Sequence, residues 1–478
     1  MRLKNIQLTN PYLKLNSSFY NYEKISPLNN AFLIDTNVRL LNELDIYQLF
    51  EDNRELLNFL NGSKLINGSK PFSMVYAGHQ FGHYVPQLGD GRAINIGTIK
   101  NMHLQLKGAG VTKYSRSGDG RAVLRSSIRE YLASEAMNAL GVETTRAVTL
   151  IGSKHKVYRE SWEYGAIVLR ASPSWVRFGT FEYFAHNNMI NELKELANYV
   201  IEESYPHVAN EEDKYTYLFL EVVGKTAKLI AKWMSIGFNH GVMNTDNMSI
   251  AGLTIDYGPY AFFDDFNYNY VCNHTDAQGR YSFRNQPIIG KWNLNALLVA
   301  LAKITDSKRL ESALKYYDEI YIKEYQSLMN KKLGLDSIKK EDTKLVQHLL
   351  GVLQSLQVDY TLFFRTLSHY KGDKKDILNL CLYHTPMREW LEDYDKRLEQ
   401  NSTTTEDRST KMLKTNPKYT LKNYILQEAI ESAKSGDYST LKNLFKVTQT
   451  PYDEHPEFER WAQSTPAEYK NLKLSCSS

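Results

Sequence analysis

The sequence predicts an α+β protein of two lobes, with strands gathered in the first half and helices dominating the second. Three observations carry this. A chain of 478 residues exceeds what one hydrophobic core supports. Short alternating apolar runs, Ile94 with Ile96 and Met102 with Leu104 and Leu106, read as strands in the first half. The strongest helical periodicity, over 215–238, leads into a C-terminal third (about 290–478) of amphipathic runs.

Element by element, residues 1–70 read as helices and loops. The stretch 72–130 is dense in Gly, Arg and Asp, and its second strand sets His103, Gln105 and Lys107 on the face opposite the apolar residues. A helix follows from about Ser127 to Leu140, closed by Gly141, and a strand covers Ala166–Ala171. In the 215–238 helix, Leu218, Phe219, Val222, Val223, Leu229, Ile230, Trp233 and Met234 share one broad buried face. Later amphipathic runs fall near 293–303, 344–356 and 420–434, and NSTTTEDRST (401–410) reads as a loop or disordered insert. The expected division is an N-terminal lobe over 1–185 and a mainly helical C-terminal lobe over 186–478.

With 42% hydrophobic and 23% charged residues the composition is that of an ordinary globular protein. A net charge of +4 without any long Lys/Arg run calls for neither nucleic acid nor an anionic membrane as partner. No run reaches the roughly 18 apolar residues of a membrane span, and the N-terminus holds no signal-peptide stretch, so a cytoplasmic protein is expected. The three cysteines, Cys272, Cys381 and Cys476, form no CxxC pair and so neither a zinc site nor a disulfide framework.

Two nucleotide fingerprints almost match and fail. Gly224-Lys225-Thr226 has Phe219 where a P-loop needs its first glycine, and it lies inside the strongest helix. Gly89-Asp90-Gly91-Arg92 has Ile94 at the third glycine position of a dinucleotide fingerprint. Gly-Asp-Gly-Arg-Ala nevertheless occurs twice, at Gly89–Ala93 and Gly118–Ala122. Paired glycines let backbone N–H groups approach an anion, and the neighbouring Arg can clamp phosphate; two ordinary tight turns are the alternative.

Lys107, ending its strand, and Glu130, in the next helix, suit the strand-Lys to helix-Glu pair by which kinases hold phosphates. Ser127–Glu130 also has the S-x-x-E form of a capping box, so both readings of Glu130 stand. Arg170 and Arg177 bracket Ser172-Pro173-Ser174-Trp175 and suit phosphate binding, with surface placement as the alternative.

The most informative segment is HGVMNTDN (240–247) followed by IDYG (255–258). Kinase catalytic loops read H-R-D-x-x-x-x-N, and His240 and Asn247 keep that separation of seven, with Asp256-Tyr257-Gly258 as a DFG-like triplet. An Asn amide oxygen and an Asp carboxylate are hard ligands suited to Mg2+ or Mn2+ on phosphates. Val242 occupies the position of the kinase base, leaving Asp246 as the carboxylate within the loop.

At these residues the chain closely resembles the selenoprotein O (SelO) family, called YdiU or UPF0061 in bacteria. The matching stretches are YAGHQFGHYVPQLGDGR (76–92), LQLKGAG (104–110), YSRSGDGRAVLRSSIREYLASEAM (114–137), HGVMNTDNMSIAGLTIDYGPYAFFDDF (240–266) and NPKYTLKNYILQEAI (416–430). The resemblance implies a protein-kinase-like (pseudokinase) fold binding ATP in a flipped orientation, and transfer of AMP to protein hydroxyls, with UMP transfer from UTP attributed to bacterial members. It implies Asp246 as proton acceptor, and Asn247 and Asp256 as ligands of Mg2+ or Mn2+. Gly89, Gly91, Arg92, Lys107, Asp119, Gly120, Arg170, Arg177 and Asp256 would contact nucleotide, and Glu130 would pair with Lys107. Many eukaryotic members carry selenocysteine near the C-terminus; here Cys476 stands at that end, and a reversible Cys272–Cys476 disulfide, or two thiols that never exchange, follows as the expectation. Three functions compete: a protein adenylyltransferase, which the resemblance favours; a γ-phosphotransferase, against which Val242 argues; and a silent nucleotide-binding regulator, against which the retained metal set argues.

Overall fold

The computed structural model describes residues 6–46, 53–470, 472 and 474. The expectations for residues 1–5 and 47–52, and for Cys476, fall outside them. In chain order the strands are β1 (Tyr20–Tyr22), β2 (Phe32–Thr36), β3 (Phe72–Met74), β4 (Gly78–Gln80), β5 (His83–Val85), β6 (Ala93–Ile99), β7 (Met102–Lys107), β8 (Ala122–Val123), β9 (Arg146–Tyr158), β10 (Trp162–Ser172), β11 (Phe238–Asn239) and β12 (Ala261–Phe262). The helices of the first half are α1 (Val38–Glu43), α2 (Asn53–Leu60), α3 (Leu124–Ala139), α4 (Phe178–His186), α5 (Ile190–Ser204) and α6 (Lys214–Ser235). There follow α7 (Gln286–Leu301), α8 (Ser307–Leu314), α9 (Tyr316–Lys332), α10 (Asp342–Leu356), α11 (Tyr360–Ser368), α12 (Lys375–Leu378), α13 (Thr385–Leu398), α14 (Thr405–Thr415), α15 (Asn423–Lys434) and α16 (Ser439–Gln449). This is an α+β protein with its main sheet in the N-terminal region and mainly helices thereafter.

The main sheet runs β1-β3-β6-β7-β10-β9-β2, with β8 also pairing β10, and its strand pairs are antiparallel. Strand alternation sorts its side chains. Ile94, Ile96, Leu104, Leu106, Ile167 and Leu169 enter a core shared with Leu40 and Leu41 of α1 and Leu60 of α2. Ala166 and Val168 join Ile128, Tyr131 and Leu132 of α3 in a second, larger core that continues through the helices. The same alternation lays polar residues in register: Arg170 lies opposite Gln105, and Gln105 opposite Asn95.

Several expectations shift. The N-terminal region supplies β1 and β2 as well as helix and loop, and β9, one of the sheet's long strands, carried no prior signal. Helix α3 begins at Leu124 with Val123 at its N-cap, so Ser127 sits in the second turn and the capping-box reading fails. Ser127 Oγ is buried without a hydrogen-bond partner among the described residues. The polar stretch 401–410 is not an insert; it opens α14. Thr404 caps that helix by accepting from Asp407 N at 3.1 Å, Glu406 and Asp407 lie in its first turn, and buried Arg408 donates to Tyr394 Oη at 3.1 Å. Helix α6 buries the expected residues and ends before Gly237 at φ +71°. Gly224-Lys225-Thr226 lies within it, where no phosphate loop can form.

Candidate active site

The Gly-rich turns, β7, β10, the start of α4 and the 240–259 loop converge on one cavity of about 610 Å3. Its lining includes Gly89, Gly91, Arg92, Lys107, Asp119, Gly120, Arg170, Arg177, Asp246, Asn247 and Asp256. Glu130 stands just behind it, buried. A second cavity of about 620 Å3 lies against Arg125, Trp162 and Leu474 and holds none of these residues; the convergent charge marks the first as the candidate site.

At its floor three cations meet two carboxylates. Lys107 Nζ is 2.7 Å from Glu130 Oε2 and 3.2 Å from Asp256 Oδ1. Arg170 Nη1 bridges Glu130 Oε1 at 2.7 Å and Asp256 Oδ1 at 2.6 Å, and Arg177 Nη1 pairs with Asp256 Oδ2. Burial opposes ionisation of Asp256, yet Arg177, Lys107 and Arg170 outweigh it and hold the carboxyl well below its usual range. Burial likewise works against the Glu130 carboxylate, and Lys107 and Arg170 bring its pKa below the ordinary value. For Lys107, burial lowers the ammonium pKa despite both carboxylates. Within this five-residue cluster the cations outnumber the carboxylates three to two.

Arg170 is held by more than charge. It donates to Gln105 Oε1; Gln105 Nε2 donates to Asn95 Oδ1 at 3.3 Å; Asn95 Nδ2 donates to Asp90 Oδ2 at 3.2 Å. Trp175 lies under its guanidinium, 4.5 Å from ring centroid to Cζ. This buried ladder crosses three strands and fixes the arginine rigidly. Alternation had placed Gln105 beside Lys107 on one face; Asn95, Asp90 and Trp175 were not anticipated as its supports.

The 240–258 loop has a neutral histidine as its pin. Burial lowers the His240 pKa; its Nδ1 accepts from Val242 N at 3.4 Å, and Nε2 reaches Ile255 O at 3.2 Å, the residue before Asp256. Asp256 itself takes φ +58°, uncommon for a residue with a Cβ and sustained here by its three cationic partners. Asn247 donates to Val242 O at 3.0 Å, which fixes the amide's orientation. Asp246 Oδ2 receives Gln80 Nε2 at 3.4 Å, whereas Oδ1 is buried and has no hydrogen-bond partner among the described residues. Burial pushes this carboxyl up to about 7, against the pull of Arg177. Arg177 Nη1 also donates to Asp246 O at 2.6 Å.

The two Gly-Asp-Gly-Arg turns do different work. In the first, Asp90 is buried and accepts from Met74 N at 2.9 Å, while Arg92 is exposed at the cavity. In the second, Arg121 is tied to Ser26 Oγ at 2.9 Å, and exposed Asp119 pairs with Arg159 at 2.8 Å. Gly89 has φ +80°, and a Cβ there would sit 2.3 Å from the Tyr114 ring; at Gly120, φ +67°, it would sit 2.0 Å from Gly110 O. Glycine is required at both positions by close packing as well as by backbone sign.

Cys272 and Cys381 are both buried, so they are not joined to solvent in this arrangement. Cys476 lies outside the described residues. Near that end, Asn273 pairs with Leu474 in a parallel bridge, and His274 N donates to Leu474 O at 2.7 Å. No helix among the described residues is long and apolar enough to cross a membrane.

A family model described as "Protein adenylyltransferase SelO" matches residues 2–449. The protein nucleotidyltransferase YdiU of Aliivibrio fischeri (strain MJ11) is 44% identical over 481 residues, covering 99% of each chain. Relatives of the same name from Myxococcus xanthus (strain DK1622) and Pseudomonas fluorescens (strain SBW25) are 42% identical over 485 residues and 43% identical over 488, each spanning 100% of this chain and 99% of the relative. The cleft thus belongs to an enzyme of the nucleotidyltransferase class. Within that class, the chain is a member of the SelO family.

Proposed function

We propose that this enzyme transfers AMP from ATP to Ser, Thr or Tyr hydroxyls of target proteins, with UTP as a second donor to be tested. The observation that carries the reading is the Asp246 carboxylate: a buried, unpartnered oxygen with a raised pKa, in the same cavity as Asn247, Asp256 and the basic floor. Val242, at the kinase base position, offers no proton acceptor. The reading assigns a kinase-like cleft between a lobe of residues 1–185 and one of 186–478.

Asn247 and Asp256 supply an amide and a carboxylate oxygen to the cleft. So small a protein donor set fits Mg2+ or Mn2+, which take their remaining ligands from phosphates and water. When bound, such an ion neutralises charge on the transferring phosphoryl group. Lys107, Arg170 and Arg177 hold the β- and γ-phosphates in a flipped nucleotide, and Arg92, Gly89, Gly91, Asp119 and Gly120 line its path outward. The acceptor hydroxyl oxygen forms a bond to the α-phosphorus while the bond from that phosphorus to the bridging oxygen breaks. Pyrophosphate leaves with that bonding pair, and the hydroxyl proton passes to the Asp246 carboxylate. Most of the rate gain is positioning and charge stabilisation.

Phosphate oxygens compete with Asp256 for the same three cations. Nucleotide binding therefore releases the Asp256 carboxylate as a metal ligand. A Cys272–Cys476 disulfide would tether the chain end near Gly241, where an added Cβ would lie 2.5 Å from the Cys272 sulfur.

The deciding experiment incubates the protein and a bacterial lysate with Mg2+ or Mn2+ and ATP labelled at the α- or the γ-phosphate. Retention of the α label alone supports AMP transfer, the γ label alone a kinase, and neither label a binding protein. UTP in the same assay tests donor choice.

A further inference from the structure

Helix α4 grips the reactive turn at three successive points. Arg177, its N-cap, donates to Asp246 O at 2.6 Å. Gly179 packs so tightly that an added Cβ would lie 2.1 Å from Ala77 O and 3.4 Å from Asp246 Cα. One turn further, Glu182 points the same way. Its side chain is only 1% exposed.

Both oxygens of the Glu182 carboxylate are hydrogen-bonded. Thr245 Oγ1 donates to Oε2, His79 Nδ1 bonds Oε1, and the backbone N of His79 donates back to Thr245 Oγ1 at 2.7 Å. The result is a closed ring joining α4, the Thr245–Asn247 turn and strand β4. The same strand presents Gln80 to Asp246 Oδ2, and a Cβ on its Gly78 would stand 2.8 Å from Asp246 Oδ1. A buried carboxylate so far from solvent is costly unless it is hydrogen-bonded. Its placement is explained by neither of the nucleotide-facing clusters.

We propose that Glu182 is a positioning residue of the transfer reaction, acting through Thr245 and His79 to fix Asp246 and Asn247 relative to the β4–β5 hairpin. The proposal deepens the reading of Asp246 given above and rests on it. The ring holds the turn rather than the nucleotide: Glu182, Thr245 and His79 do not line the cavity, while Asp246, Asn247 and Gln80 do. Loss of the ring should therefore slow transfer and leave ATP binding in place, since displacements near 1 Å cost on the order of 100-fold in rate.

The test uses the full chain, ATP labelled at the α-phosphate, and a bacterial lysate as acceptor. Glu182→Ala and Thr245→Val are each expected to lower the transfer rate at saturating ATP about 10–100-fold. The ATP concentration for half-maximal rate should stay within about twofold. Thr245→Ser, which keeps the hydroxyl, should restore most of the rate, and the double variant Glu182→Ala/Thr245→Val should be no slower than the worse single one, since both break one ring. A wild-type rate in Thr245→Val, additive losses in the double variant, or a parallel loss of ATP affinity would overturn the proposal. If Glu182→Ala fails to fold, Thr245→Val and Thr245→Ser decide alone. Asp246→Asn is run beside them: activity there sinks the assignment of Asp246, whereas a dead Asp246→Asn with an active Thr245→Val sinks only the role of Glu182.

Discussion

At Asp246 the two carboxylate oxygens have different fates: Oδ2 is met by Gln80, and Oδ1 is buried with no partner among the described residues. An orphaned buried acceptor is costly, and the proposed proton-accepting role of Asp246 would account for its persistence. Asp246→Asn should lower transfer at least ~100-fold while ATP binding, measured by calorimetry, changes little; undiminished transfer would remove Asp246 from the mechanism. Asp256→Ala should abolish transfer through loss of the proposed metal ligand, and full activity in that variant would sink the metal assignment. Outside the cavity lining, Lys332 is a second residue out of balance. It is buried over the Phe364 ring at 4.0 Å, and burial lowers its pKa to about 7. The unfolded chain keeps this proton up to roughly pH 10. Between about pH 7 and 10 the unfolded state thus binds the extra proton, and the Lys332 contribution to stability rises with pH. Lys332→Met should raise thermal stability near pH 6.5 by on the order of 2 kcal/mol, and the gap to wild type should close towards pH 10. A gap independent of pH would show that Lys332 is not the titrating group.

Among elements, strand periodicity was readable where one face is apolar. β7 was legible because Leu104 and Leu106 alternate with Gln105 and Lys107. β9 was not, since its burial on both faces erases the alternation over much of its length. Helix starts were less legible. Ser127 and Glu130 have the capping-box spacing, but the helix begins a turn earlier because Val123 and Ala122 are taken up by pairing with β10. Glu130 is thereby freed to meet Lys107 and Arg170. α14 shows the converse: a polar composition reads as loop, while Thr404, its acidic first turn and the buried Arg408 make it a helix. Thr404→Ala should cost about 1 kcal/mol, seen as a lower thermal midpoint with unchanged transfer. A variant indistinguishable from wild type in stability would show that the cap contributes nothing.

For the whole molecule, the site exists only where distant segments meet. Lys107, Glu130, Arg170, Arg177 and Asp256 come from two strands, two helix regions and a loop, and their ion pairs form only when all five meet. If phosphates displace Asp256 from these cations, metal and nucleotide must bind with positive coupling, and the coupling must be reciprocal. Removing Mg2+ with a chelator should weaken ATP binding by about tenfold or more, and calorimetry with and without metal checks it; equal affinities would show that Asp256 does not exchange partners. Peptide mapping of the oxidised protein under non-reducing conditions should find a Cys272–Cys476 peptide, and its absence would end the disulfide reading. The sequence by itself determined the family and the α+β class and pointed to the candidate site residues, because each rests on residue type and local spacing. Only the tertiary structure decided which arginine is tied by a polar ladder, which turn arginine is spent on Ser26, and that Glu182 stands behind Asp246. Those are contacts between residues tens to hundreds of positions apart, and no local period encodes them.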